Sequence, residues 1–110
     1  MEELKQYQRG DSVEIDVDGV WKVGIVLAPA GVGFFPIVQI TGSPVPVTIR
    51  DPKLIRRRTE TAKATILGNN EQNLTGTIVK VFKDYRIEVS INEFDGAPMV
   101  VPHSMINITP

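Results

Sequence analysis

The chain of 110 residues has no cysteine and a single histidine, His103. Without thiols there is no disulfide framework, and a tetrahedral zinc site has no Cys/His ligand set to draw on. The carboxylates do not fall into a calcium-loop spacing either, so neither a metal nor any other cofactor is expected. Nucleophilic constellations are also missing. No Ser/His/Asp or Cys/His arrangement can be placed, and Gly31-Val32-Gly33 lacks the third glycine and the following helix of a dinucleotide fingerprint. The expectation is a protein that is not an enzyme. No apolar run approaches the roughly 18 residues of a membrane-spanning helix. The start, Met1-Glu2-Glu3-Leu4-Lys5, is acidic and without the apolar stretch of a secretory signal. A soluble intracellular protein, cytoplasmic or nuclear, with no membrane partner is therefore expected. Aromatic residues make up only 6% of the chain.

What is present is a globular composition, 42% hydrophobic and 23% charged, with a net charge of -1 that is unevenly spread. Residues 1–49 carry six acids against three bases, residues 50–63 six bases against two acids, and residues 64–110 five acids against three bases. A basic belt thus lies between two mildly acidic halves. A nonspecific nucleic-acid binder is normally basic over the whole domain, and this chain is not.

Strand grammar dominates. Val13, Ile15 and Val17 alternate with Glu14 and Asp16, and Asp18-Gly19 follows as a type I′ hairpin signal before a return strand over residues 20–27. Residues 28–33 are too rich in Gly and Pro to extend a ladder and read as a loop. A third strand is predicted over residues 34–40, a turn at 41–44, and a fourth strand carrying Val45, Val47 and Ile49. Pro44 and Pro46 put that strand at a sheet edge. A 3₁₀ turn is expected over residues 51–55. The second half repeats the pattern, with strands predicted over 64–67, 76–82, 85–91 and 98–101, a polar loop over 68–73, and residues 102–106 in the place of 51–55. Residues 1–8 and 53–63 are the helix candidates.

Gly24-Ile25-Val26-Leu27 and Gly76-Thr77-Ile78-Val79 stand 52 residues apart, as do Pro46-Val47-Thr48-Ile49 and Pro98-Met99-Val100-Val101, which suggests an internal duplication. A single domain of ordinary size or two very small ones fit the length, and the repeat favours two, residues 1–58 and residues 59–110. Domains this small bury little core, so the halves are expected to pack on one another or the chain to form a homo-oligomer.

The order Arg9-Gly10-Asp11-Ser12-Val13, then Gly19-x-Trp21-x-x-Gly24-x-Val26, then Val47-x-Ile49 and a closing Leu54-Ile55-Arg56, resembles a small SH3-like barrel of the Tudor, agenet or KOW kind. The second half, from Leu74-Thr75-Gly76-Thr77-Ile78-Val79 through Val100-Val101-Pro102-His103-Ser104-Met105-Ile106, is more similar to a KOW module. The resemblance implies an all-β protein of two SH3-like barrels in tandem, packed together, with little helix. It also implies a noncatalytic reader of peptides, modified side chains or nucleic acid. Val38-Gln39-Ile40-Thr41 is similar to the Val-Gln-Ile-Tyr strand of the plasmid-type dihydrofolate reductases. It has threonine where they have tyrosine and lies on an earlier strand, so no reductase activity is expected.

Two sets of side chains are candidates for binding. Trp21, Phe34 and Phe35 with Asp16 and Asp18 have the composition of an aromatic cage, in which ring faces and an acid attract a methylated ammonium. Arg56, Arg57 and Arg58 with Lys63, Lys80, Lys83 and Arg86 have that of a phosphate-contacting set. The plainer alternatives are that Trp21 and a phenylalanine fill a barrel, and that the arginines form a solvated linker paired with acids of either half. Recognition of a protein or peptide partner is the leading expectation. KOW-type nucleic-acid binding and a structural or assembly subunit of a virus or phage are the alternatives.

Overall fold

The computed structural model describes residues 2–43, 45–67 and 73–110. Ser12–Val17 (β1) and Val20–Ala28 (β2) form the hairpin that the alternation predicts. Its turn residues Asp18 and Gly19 both have positive φ, 51° and 86°, as a type I′ turn requires. Ile37–Ile40 (β3) pairs with β2 and Val47–Thr48 (β4) with β3. After a 3₁₀ turn at Pro52–Leu54, Ile55–Arg57 (β5) comes back to pair with β1. The second half runs Lys63–Ile66 (β6), Leu74–Val81 (β7), Arg86–Ile91 (β8) and Ala97–Pro102 (β9). A 3₁₀ turn at His103–Met105 then leads to Ile106–Thr109 (β10). The strand orders are β4-β3-β2-β1-β5 and β10-β6-β7-β8-β9. Both are antiparallel meanders whose fifth strand, entered through a 3₁₀ turn, lies beside the first. The protein is all-β, two SH3-like barrels packed together.

The 52-residue repeat is visible in the backbone. β2 slips register against β3 between Val26 and Ala28, and β7 slips against β8 between Ile78 and Lys80, so the extra residues are Leu27 and Val79. Such bulges bend a strand enough to serve both sides of a small barrel. Gly24 and Gly76 sit on these two strands where the neighbouring strand comes closest. A Cβ on Gly24 would lie 2.8 Å from Val38 Cγ1 and 2.9 Å from Gln39 O, and one on Gly76 would collide with Ser90 O and Val89 Cγ1.

Several predicted boundaries move, each for a local reason. The third strand begins at Ile37 instead of residue 34, because Gly31 and Phe34 close a tight turn on each other and Pro36 has no N–H. The fourth strand shrinks to Val47–Thr48, and the Ile49 N–H donates to Pro36 O instead. The helix expected over residues 53–63 does not form: the 3₁₀ turn ends at Leu54, β5, the connection and the first residue of β6 occupy the rest, and the α-helix of the described residues is the single turn Glu2–Lys5 (α1). The closing strand β10 is an addition to the sequence reading, with Ile106 and Ile108 inward and Asn107 and Thr109 outward. Pro44, in the predicted turn at 41–44, and residues 68–72 of the predicted polar loop lie outside the described residues.

The two halves share a core. Leu4 and Tyr7, from α1 and the segment after it, close the first barrel over Val13, Ile15, Val26, Val38, Ile40, Ile49 and Ile55. β2 is buried on both faces. Its inward Val26 belongs to that cluster, while Val23, Ile25 and Leu27 on the opposite face join the second barrel's core with Ile78, Val89, Ile91 and Ile108. Ile25 and Leu27 are fully buried there. Burying such side chains contributes about 1.5–3 kcal/mol each, a large share of what a 50-residue barrel lacks by itself.

Candidate functional site

The structure brings Trp21 beside Asp16 but keeps Phe34 and Phe35 away from them. Trp21 pairs with Asp16 near the start of β2, whereas Ala28, seven residues on, pairs with Ile37. That is roughly 23 Å of strand at the usual rise. Phe35 is half-buried against the first core with Arg50 5.6 Å from its ring centre, and Phe34 is 70% exposed beside the Gly31 turn. The face of Trp21 is already taken: the Arg56 guanidinium lies 3.9 Å from its ring centre. Asp16 accepts the Gly19 N–H at 2.8 Å, fastening the hairpin turn, and Asp18 is one of the turn's two positive-φ residues.

The arginine run is also occupied. Arg56 Nε donates to Glu14 Oε1 at 3.1 Å, Arg57 Nη1 to Asp11 Oδ2 at 2.9 Å, and Arg58 Nη2 to Glu60 Oε2 at 3.0 Å. Arg57 also donates to Gln6 O and lies over the Tyr7 ring. Pairs this exposed add little stability, but they cancel the charge that a phosphate would meet. Arg56 and Arg57 belong to β5, not to a linker, and Lys63 opens β6 on its outer side opposite Thr77.

Lys80, Lys83 and Arg86 do come together, and Arg9 joins them. With Val81, Phe82 and Asp84 they line a groove of about 530 Å³ at the junction of the barrels. Arg9 reaches it from the segment before β1, its Nε donating to Leu27 O at 3.1 Å. The opposite wall is the β7–β8 turn. Phe82 N–H donates to Arg86 O and Tyr85 N–H to Phe82 O, closing a three-residue loop whose last residue must be left-handed. Tyr85 fills that position with φ 70°, where an asparagine or glycine costs less. The half-buried Phe82 ring has Lys80 Nζ 5.0 Å and the Arg86 guanidinium 5.6 Å from its centre, which gathers the two cations. The one carboxylate in the groove, Asp84, accepts the Arg86 backbone N–H and its Nε at 2.7 Å; the backbone bond first, then the side chain, holds its carboxyl below the usual range.

A polar relay ties this turn to the other barrel. Gln39, fully buried on β3, donates Nε2 to His103 O at 2.9 Å and to Ile106 O at 3.0 Å. Its Oε1 lies 3.1 Å from His103 Nδ1, and the His103 ring meets Tyr85 edge-on at 5.8 Å between centres. Gln39 is therefore a clamp between the barrels, its amide closed to any external ligand. Among the described residues no group of three or more His, Asp or Glu side chains is placed to hold a metal.

Arg9 and Gln39 escaped the sequence reading as site residues. Arg9 stands in an acidic half, and Gln39 inside an ordinary apolar strand; only the packing of one barrel on the other gives either a role. No family model, no curated protein and no solved structure matches the chain.

Proposed function

We propose that the chain is a noncatalytic binding module that recognises a protein partner by an acidic segment laid in the groove between its barrels. One observation carries this reading: Arg9, Lys80, Lys83 and Arg86 converge on a single groove against the lone carboxylate of Asp84, in a chain of net charge -1. The similarity to Tudor, agenet and KOW barrels, themselves noncatalytic readers, supports the same class of function. A protein partner is favoured over nucleic acid because the positive surface is short. Glu88 stands opposite Lys80 across the β7–β8 ladder, and Arg56, Arg57 and Arg58 are paired with acids. A continuous phosphate backbone would run from the groove onto carboxylates, whereas a short acidic stretch of a partner ends where the cations end.

The test is fluorescence anisotropy with a labelled oligoglutamate peptide and a labelled oligothymidylate of similar charge. Lys80→Ala/Lys83→Ala is expected to weaken peptide binding about tenfold or more. Arg57→Ala/Arg58→Ala, removing cations already neutralised, is expected to change it less than about twofold. Unaltered peptide binding by the lysine variant, or tighter binding of the oligothymidylate, would overturn the reading.

A further inference from the structure

We infer that the groove is built for a phosphate monoester, so that the partner's acidic segment is anchored by a phosphorylated serine or threonine; this rests on the groove being the protein-binding site. The groove's supply of donors favours a phosphoryl group. Arg9 and Arg86 each commit Nε to an internal acceptor, Leu27 O and Asp84 Oδ2, and among the described residues their Nη atoms make no hydrogen bond. Two guanidinium groups held by Nε present two free forks, with the ammonium groups of Lys80 and Lys83 beside them. A glutamate carboxylate has two oxygens in one plane, so two forks must share the same two atoms. A phosphoryl group has three terminal oxygens and accepts from both.

Charge density points the same way. Four cations, with Asp84 in the groove and Glu88 beside Lys80, leave a surplus of two positive charges. A phosphate monoester concentrates about -1.5 to -2 in one group, while a carboxylate or a phosphodiester carries a single charge. A nucleic-acid strand would have to match the surplus by extending, and Glu88 beside Lys80 stands in its way. The cations are also preorganised. Phe82 gathers Lys80 and Arg86, and the turn that carries Lys83 is fixed by Tyr85 packed on the His103 ring, which Gln39 holds from the other barrel. Cations held in place before binding lose less freedom when the anion arrives.

The experiment compares four labelled probes on the full chain: a Gly/Ser peptide with a central phosphoserine, its serine twin, its glutamate twin, and an oligothymidylate. The phosphoserine peptide is expected to bind about thirtyfold tighter than the serine twin and clearly tighter than the glutamate twin. Arg86→Lys keeps the charge but loses the fork, and at an exposed position it leaves folding intact. It is expected to cost about tenfold toward phosphoserine and little toward glutamate. Arg9→Lys tests the second fork in the same way. Equal binding of the phosphoserine and glutamate peptides sinks the phosphate inference while leaving the acidic-segment reading in place. Failure of both peptides, or oligothymidylate binding tighter than the phosphoserine peptide, sinks the two together. Indifference of phosphoserine binding to both lysine substitutions overturns the assignment of the forks.

Discussion

Replacing Gln39 by methionine isolates the clamp between the barrels. Methionine keeps the length and nearly the volume of glutamine but offers neither donor nor carbonyl oxygen, so the strand stays packed while three polar contacts disappear. His103 O and Ile106 O lose the Nε2 donor at 2.9 and 3.0 Å, and the His103 ring loses Oε1. A neutral hydrogen bond contributes about 1 kcal/mol net, and an acceptor stranded in the interior costs about 1–3 kcal/mol. His103 is half-buried and regains some hydration, and the thioether is less polar than the amide it replaces, so the expected loss is about 2–4 kcal/mol. At about 2.1 cal/mol/K per residue, unfolding entropy converts that loss into a fall in Tm of about 9–17 °C. Urea unfolding followed by the fluorescence of Trp21, the sole tryptophan and a first-barrel residue, and by far-UV ellipticity, which reports both barrels, provides the assay. The midpoint should fall with the slope unchanged, and the two signals should coincide, because Val23, Ile25 and Leu27 belong to the second barrel's core. A loss below about 0.5 kcal/mol would refute the clamp. Separate fluorescence and ellipticity transitions in the unaltered protein would refute the shared core.

Gly24→Ala and Gly76→Ala each drive a methyl group into the adjacent strand and are expected to cost about 2–4 kcal/mol, whereas Gly19→Ala, with open space around it and φ +86°, should cost about 1 kcal/mol. Thermal melts of the three variants check that order, and a reversal would contradict the close approach of the strands. Glu93 accepts the Thr75 backbone N–H at 2.6 Å and its hydroxyl at 2.7 Å, the backbone bond being the larger cause of a carboxyl held below its usual range. A depressed folded-state pKa gives stability that is complete above the ordinary carboxylate range and lost as pH falls through the folded value. Urea midpoints should therefore decline below about pH 4, and less steeply in Glu93→Gln.

The all-β class and the hairpin turns were legible in the chain because they depend on near neighbours. Alternation along residues 13–17 and 86–91 sets which side chains share a face, and Asp18-Gly19 supplies the positive φ of its turn wherever it occurs. The duplication was legible for the same reason, since glycines at matched positions mark the same crowding in both sheets. Boundaries were less so. Phe34 carries the β-propensity of a strand residue, but its hydrogen bonds go to Gly31 across a turn closed by a left-handed glycine at 33.

The groove draws on both halves, Arg9 from the first and the β7–β8 turn from the second. Local pattern placed seven cations and could not tell which were free, because an ion pair such as Arg57 with Asp11 spans 46 residues. It set the alternation of β2 and could not show that both faces are buried, because the second face is covered by a barrel that begins 35 residues after the strand ends. Strand, turn and repeat were written in contacts a few residues long. The pairing of Arg56 and Arg57 with acids arose only when β5 came back beside β1, and the docking that brings Arg9 to Lys80, Lys83 and Arg86 only when the two sheets met, since charge and burial are properties of what lies across space and not of what comes next in the chain.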